Sequence, residues 1–374
     1  MKILYFCTFY HRALLFRQQM DALIKRGHYV RAFSSAKYGE GVADKFLPIM
    51  DELVVHKECW NKYDRTLFFP RQWKIEKELQ KAYNLKDFDL VHAHLLLSSG
   101  YSALRMKKKY GTPYVVSVRV TDLTGFIKLP YFRKMALKII KNSSGVLFLS
   151  HSHKKEFEEK YLTEEMKSDF EKKSVVIGNS LEPFWEEHLS KPRKSVNDFN
   201  NIKLLSVAKI RPIKNLTVAC EAVEELNRRG IHATLTIVGE AQDREEYEKI
   251  LKYEHTEVLP FKTKEELITI YRNHDIFLLP SVNETFGRVY AEAMTQGLPI
   301  LYTKKQGFDN NFPDGKAGYS VYADNPEFIA DRVQDILANY EEISRFCIEN
   351  STLFFEDNIM NQIEKFYQNS LTRG

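Results

Sequence analysis

Cysteine is scarce in this chain: four residues among 374, at positions 7, 59, 220 and 347, with no Cys-x-x-Cys spacing. That scarcity argues against a disulfide framework or a thiolate zinc site and fits a reducing compartment. No apolar run approaches the ~18 residues needed to cross a bilayer. Residues 1–7 turn polar at Thr8 without a cleavage pattern, so they read as a first strand rather than a signal peptide. The expectation is a cytoplasmic protein, with any membrane contact peripheral. Internal repeats and low-complexity tracts are also missing. At 44% hydrophobic and 28% charged residues the composition is that of a folded protein. A length of 374 residues exceeds one ordinary core, which implies two domains.

Acidic residues are rare in one region. Residues 101–150 hold ten Lys or Arg and a single acid, Asp122. Residues 1–200 carry a net +12 and the remainder −7. An excess of one sign usually marks a surface that meets polyanions or anionic lipid. Within it, residues 131–142 set Arg133, Lys134, Lys138 and Lys141 beside Met135, Leu137, Ile139 and Ile140. That pattern predicts an amphipathic helix suited to an anionic inner leaflet. Nucleic acid is not expected as a partner.

Along the chain, short apolar runs alternate with helical periodicity, as βαβ units do. Strands are predicted at 3–7, 29–33, 52–56, 89–94, 112–118 and 145–149. A polar linker at 190–201 precedes strands at 202–207, 234–238, 275–279 and 300–303. Three parts follow: a domain at 1–195, a second at 196–352, and a terminal helix within 353–374. His92 and His94 alternate on one strand with no evident carboxylate or thiol partner, so both are read as structural rather than as metal ligands.

The most informative stretch is 278–300. An apolar strand stops at Pro280, residues 281–285 form a polar loop, and Phe286, Val289, Ala293 and Met294 resume at helical spacing. A strand feeding a helix through such a loop leaves free N–H groups at the helix start, which suit a phosphate. Glu284 in that loop would repel the phosphate unless it accepts hydrogen bonds from hydroxyls. A ligand with both phosphates and hydroxyls is a sugar nucleotide.

Glu284-Thr-Phe-Gly, then Glu292-Ala-Met and Gly297-Leu-Pro, resembles the Glu-x7-Glu signature of the retaining glycosyltransferases of family 4. The resemblance implies the GT-B architecture, two doubly wound α/β domains facing across a cleft. It implies that Glu284 touches hydroxyls of the transferred sugar and Glu292 those of the ribose. Main-chain groups at Thr285, Phe286 and Gly287 would approach the diphosphate. The turn Ala208-Lys209 to Lys214 resembles the family's Gly-Arg-to-Lys turn, so Lys209 and Lys214 would neutralise the leaving diphosphate. Gly239 matches a turn beside the nucleotide, and Phe261 and Lys262 stand where relatives hold the base.

On the acceptor side, Arg119 takes the place of the histidine in the family's His-Gly-x-Asp, while Asp122 keeps its aspartate. An arginine cannot act as a base at neutral pH, so Arg119 would serve electrostatics or anchoring. The first loop lacks the glycines many relatives carry and offers Arg12 instead. The implied function is transfer of a sugar from a nucleoside-diphosphate donor, UDP favoured over GDP, to a saccharide acceptor. A lipid-linked acceptor, as in capsule, O-antigen or exopolysaccharide assembly, fits the basic first domain. No cofactor or metal is expected, since protein cations would take a metal's role. Alternatives are a sugar-nucleotide epimerase, a phosphorylase, or a transferase acting on a soluble acceptor.

Overall fold

The computed structural model describes the whole chain except Thr66, Lys194, Asn197, Phe199, Asn200 and Gly374, and leaves the side chains of Lys45 and Arg65 undescribed. It divides into two compact units. The first holds residues 1–149, 154–177 and 359–374, and the second holds 150–153 and 178–358.

Seven strands build the sheet of the first unit: β1 (Lys2–Phe6), β2 (Tyr29–Lys37), β3 (Val54–Trp60), β4 (Leu90–Ala93), β5 (Tyr114–Val118), β6 (Gly145–Phe148) and β7 (Ser174–Val176). They lie in the order β3-β2-β1-β4-β5-β6-β7, and every pairing is parallel. Parallel neighbours need crossover helices, which cover both faces and demand apolar side chains on each. In β1 that demand is met by Ile3, Leu4, Tyr5 and Phe6, all fully buried. In β5 it is met by Tyr114, Val115, Val116 and Val118.

The second unit repeats the plan with β8 (Ile202–Val207), β9 (Ala233–Val238), β10 (Thr256–Leu259), β11 (Ile276–Leu279), β12 (Ile300–Thr303) and β13 (Gly318–Val321). The order is β10-β9-β8-β11-β12-β13, again all parallel. In each sheet the winding reverses once, between β1 and β4 and between β8 and β11. Ligands of doubly wound sheets bind at the carboxyl ends of strands flanking that reversal.

Several elements differ from the sequence reading. Strand β2 runs on to Lys37 and β3 to Trp60, beyond the predicted ends at 33 and 56. Strands β7, β10 and β13 are not among the predicted strands; each is three or four residues long and lies at a sheet edge, where a short run carries little apolar signal. The charged segment after β6 forms two helices, His151–Tyr161 and Glu164–Lys173.

Part of the expected linker, at Lys194, Asn197, Phe199 and Asn200, lies outside the described residues. Residues 178–195 belong by contact to the second unit. There the Leu181 N–H donates to the Phe354 carbonyl at 2.8 Å and the Ser190 N–H to that of Thr295 at 2.9 Å. The last helix, Glu356–Leu371, contributes residues 359–371 to the first unit. Its Glu364 pairs with Arg26 at 2.8 Å, and its Tyr367 hydroxyl meets His92 Nδ1 at 2.7 Å.

Candidate functional site

In the second unit the loops after β8 and β11 are tied together at the reversal. Pro212–Lys214 form a 3₁₀ turn that ends at Asn215 with φ 56°. The Asn215 amide donates to the carbonyl of Pro280 at 3.1 Å and to that of Ala323. The Val282 N–H donates to the Ile213 carbonyl at 3.0 Å. This framework sets Lys214 Nζ 2.5 Å from Glu284 Oε2, with the two side chains only 16% and 14% exposed. The Glu284 N–H donates to Gln306 Oε1 at 3.1 Å, and the Thr285 N–H to Glu284 Oε1 at 3.2 Å.

The helix Arg288–Thr295 starts from Gly287, whose φ of 81° disfavours any side chain. A Cβ there would also lie 2.4 Å from the Tyr290 ring. Phe286 is a core residue, packed against Phe308 and Phe354 at ring distances of 5.9 and 5.6 Å. Only its main chain is left for a ligand. Gly239, after β9, sits so close to the β8 loop that a Cβ would lie 1.9 Å from the Ala208 carbonyl oxygen. Lys209 stays half-exposed beside Glu240 at 4.0 Å and has no recorded bond to Glu284. Phe261 is 73% exposed after β10. Lys262 pairs with Glu266 at 2.9 Å, next to the capping box that opens the helix Lys264–Arg272.

Glu292 belongs to a separate cluster. Burial raises its carboxyl above the ordinary range, the Arg288 guanidinium opposes that shift, and Glu182 adds to it. Glu182 holds Lys264 at 2.9 Å and Arg288 at 3.4 Å. The sequence reading missed Asn215, Gln306, Arg288 and Glu182. Arg288 lies inside the motif and was within reach. Glu182 lies far from it in sequence and gave no signal.

In the first unit Arg12 ends a 3₁₀ turn and pairs with Glu40, while its Nε donates to His11 Nε2 at 3.1 Å. Arg119 donates from Nε to the His94 carbonyl at 3.1 Å and lies 5.0 Å from the Phe16 ring centroid. Asp122 accepts from the main-chain N–H groups of Leu96 (3.2 Å), Leu97 (3.4 Å) and Arg119 (3.1 Å). The Arg119 guanidinium bonds to main chain of the loop after β4 rather than to Asp122, whose carboxylate ties the loops after β4 and β5 together. Burial pushes its carboxyl up to about 6.

A cavity of about 560 Å³ opens at this end of the sheet. Its lining comes from the loops after β1 to β5, with Arg12 and Asp122 among them. The sequence holds an Asp-x-Asp pair, Asp87 and Asp89. It precedes β4, where Asp89 Oδ2 accepts from the Lys2 N–H at 2.7 Å, at the opposite strand ends from the cavity.

Comparison with known proteins agrees with this layout. Residues 189–354 match the family model "Glycosyl transferases group 1", and residues 15–169 match "Glycosyltransferase Family 4". The chain is similar to alpha-monoglucosyldiacylglycerol synthase of Acholeplasma laidlawii, 27% identical over 263 residues, 65% of each chain. It is similar to N-acetyl-alpha-D-glucosaminyl L-malate synthase of Bacillus anthracis, 21% identical over 93% of this chain and 91% of that one. Among solved structures, Anabaena Alr3699/HepE in complex with UDP aligns over 98% of this chain and 100% of its own, with a TM-score of 0.74 at 15% identity.

Proposed function

We propose, starting from a chain that is a glycosyltransferase of two Rossmann-like GT-B domains, that it moves a sugar from a nucleoside-diphosphate sugar to a saccharide acceptor with retention at the anomeric carbon. UDP is the favoured nucleotide, which the UDP in the Anabaena structure supports. The acceptor is lipid-linked, as in bacterial surface polysaccharide, and the enzyme works peripherally at an anionic membrane face through its basic helix Pro130–Asn142.

The observation that carries the reading is the Lys214–Glu284 pair at the β8/β11 reversal. A carboxylate beside a diphosphate is repulsive unless a cation compensates it. Lys214 does so at hydrogen-bond distance, which leaves Glu284 free to accept from sugar hydroxyls. Lys209 and the N–H groups around Gly287 meet the diphosphate, in the role a metal plays elsewhere. Glu292 takes ribose hydroxyls and Phe261 offers an exposed ring to the base.

In the transfer step the bond from the anomeric carbon to the phosphate oxygen breaks. The acceptor oxygen bonds to the same face, and its proton passes to the departing phosphate oxygen. No side-chain base is needed, which fits an arginine at position 119.

The relatives' names differ in acceptor, a diacylglycerol in one case and malate in the other. The acceptor must therefore be argued from the first unit of this chain. Glu284→Ala should lower the transfer rate by about 10³-fold, the scale of losing one preorganised transition-state contact. UDP affinity, read by calorimetry, should stay within a few-fold. Lys214→Ala should weaken UDP instead. Undiminished transfer by Glu284→Ala, with acceptor presented in anionic vesicles, would refute the assignment.

A further inference from the structure

The cavity of the first unit, about 560 Å³, has the size of a small-ligand site and lies where doubly wound sheets take ligands. Its wall combines two chemistries. Trp60, Phe68 and Phe126 supply aromatic surface, and Lys37, Lys62 and Arg71 supply positive charge. The two are interleaved, since the Arg71 guanidinium stands 5.7 Å from the Trp60 ring centroid and 6.0 Å from that of Phe68.

The acids on the same wall are already engaged. Glu40 is paired with Arg12 and accepts from the Lys37 N–H at 3.1 Å. Asp122 accepts from the three main-chain groups described above.

With its acids engaged, the wall is cationic and aromatic in character. A bare polyol can hydrogen-bond to wall hydroxyls such as Ser35 and Thr121, but it carries neither the negative charge that the cations favour nor the hydrocarbon that the rings favour. Lysine and arginine are donors only and call for an oxygen-rich anion. The rings beside them call for hydrocarbon. The aromatic surface also continues outward: Phe68 meets Phe69 at 5.3 Å, Phe69 meets Tyr131 at 5.9 Å, and these outer rings are 40% and 61% exposed. A hydrocarbon chain has a path from the cavity to that rim.

We propose that this cavity binds the acceptor as a phosphorylated hydrocarbon carrier, with its phosphate among Lys37, Lys62 and Arg71 and the adjoining chain against Trp60, Phe68 and Phe126. The proposal rests on the reading of the chain as a transferase with a lipid-linked acceptor, and it names the chemistry that site recognises. A free phosphate alone would leave the rings unused, and a neutral lipid would give the ammonium groups of Lys37 and Lys62 no anion to meet.

Geranyl phosphate, geraniol and inorganic phosphate, each titrated into the full chain by calorimetry, separate these cases. Geranyl phosphate should bind at least tenfold more tightly than either control. Arg71→Ala and Phe126→Ala should each weaken it about tenfold, and the exposed Lys62→Ala a few-fold. Thermal melts and circular dichroism of each variant report whether the substituted unit is folded. Equal affinity for geraniol, equal affinity for inorganic phosphate, or no response to Lys62→Ala in a chain that melts as the parent does would overturn the proposal. Loss of UDP binding in the unsubstituted chain would instead sink the donor reading while leaving this one standing.

Discussion

The two units share one strand order, yet their ligand ends are built from different material. In the second unit the positions are set by main chain. Gly239 presses on the Ala208 carbonyl, Gly287 turns with φ 81°, and Asn215 clamps two carbonyls. In the first unit the cavity is bounded by side chains of Trp60, Phe68, Arg71 and Phe126. A diphosphate is the same in every nucleotide sugar, so fixed main-chain geometry suits it. An acceptor varies, and side chains can vary with it. The most direct way to break the contrast is Gly239→Ala. With a carbonyl oxygen 1.9 Å from the new Cβ, the two loops must separate. A cost of about 3 kcal/mol and a loss of UDP binding of roughly 100-fold or more, about 2.7 kcal/mol, are expected from thermal melts and calorimetry. A Gly239→Ala protein with unchanged melting and UDP affinity would show that the main chain is not what holds the donor.

Acid should separate the units next. The first unit buries His92 between the Tyr367 hydroxyl and Ser117 Oγ, both at 2.7 Å, and stacks it 3.9 Å from His94. Burial lowers His92 to about 3 and His94 well below its ordinary value, and lowers His11 and His56 to about 4. In the second unit His274 is lowered for the same reason. A histidine whose pKa falls on folding takes up its proton on unfolding. Its contribution is intact above about pH 6.5 and is lost as pH drops from there toward the folded value, by up to about 1.4 kcal/mol per pH unit for each proton. His11 and His56 are lowered less and contribute less.

Asp122 works in the other direction. Its pKa is raised to about 6, so it favours the fold increasingly as pH falls from 6 toward 4. The histidines outnumber it. Hydrogen exchange corrected for intrinsic rates should show β1, β4 and β5 losing more protection between pH 7 and pH 5 than β8, β9 and β11. Equal losses in the two sheets would contradict the assignment.

The same division explains what was legible in the sequence. Strands buried on both faces are unbroken apolar runs, so ten of the thirteen among the described residues were found, while β7, β10 and β13, short strands at sheet edges, were missed. Glu284 and Lys214 were legible because each sits a few residues after such a run, and their pairing follows from β8 lying beside β11. Phe286 was legible as part of the motif, but not as a core ring, since spacing does not say which way a side chain points. The cavity was not legible. Its parts come from five loops between Thr8 and Phe126, each ordinary alone, and Asp122's three main-chain partners appear only once β4 and β5 are side by side.

The smallest effect is expected at Lys209, and it tests whether a residue in the donor loop serves binding without serving the fold. Its ammonium lies 4.0 Å from Glu240, with the side chains 49% and 60% exposed. An exposed pair at that distance contributes about 0–1 kcal/mol. Glu240→Ala and Lys209→Ala should therefore each leave stability within about 0.5 kcal/mol of the parent protein. If Lys209 meets the diphosphate, Lys209→Ala alone should weaken UDP about three- to tenfold, with less effect on uridine, which has no phosphate to lose. Lys214 differs because its partner is largely buried, so its removal strands a carboxylate and costs stability as well as affinity. A Lys209→Ala protein that binds UDP and uridine as the parent does would leave Lys214 and the helix N-terminus to hold the diphosphate, and would move Lys209 to the solvated surface of the loop.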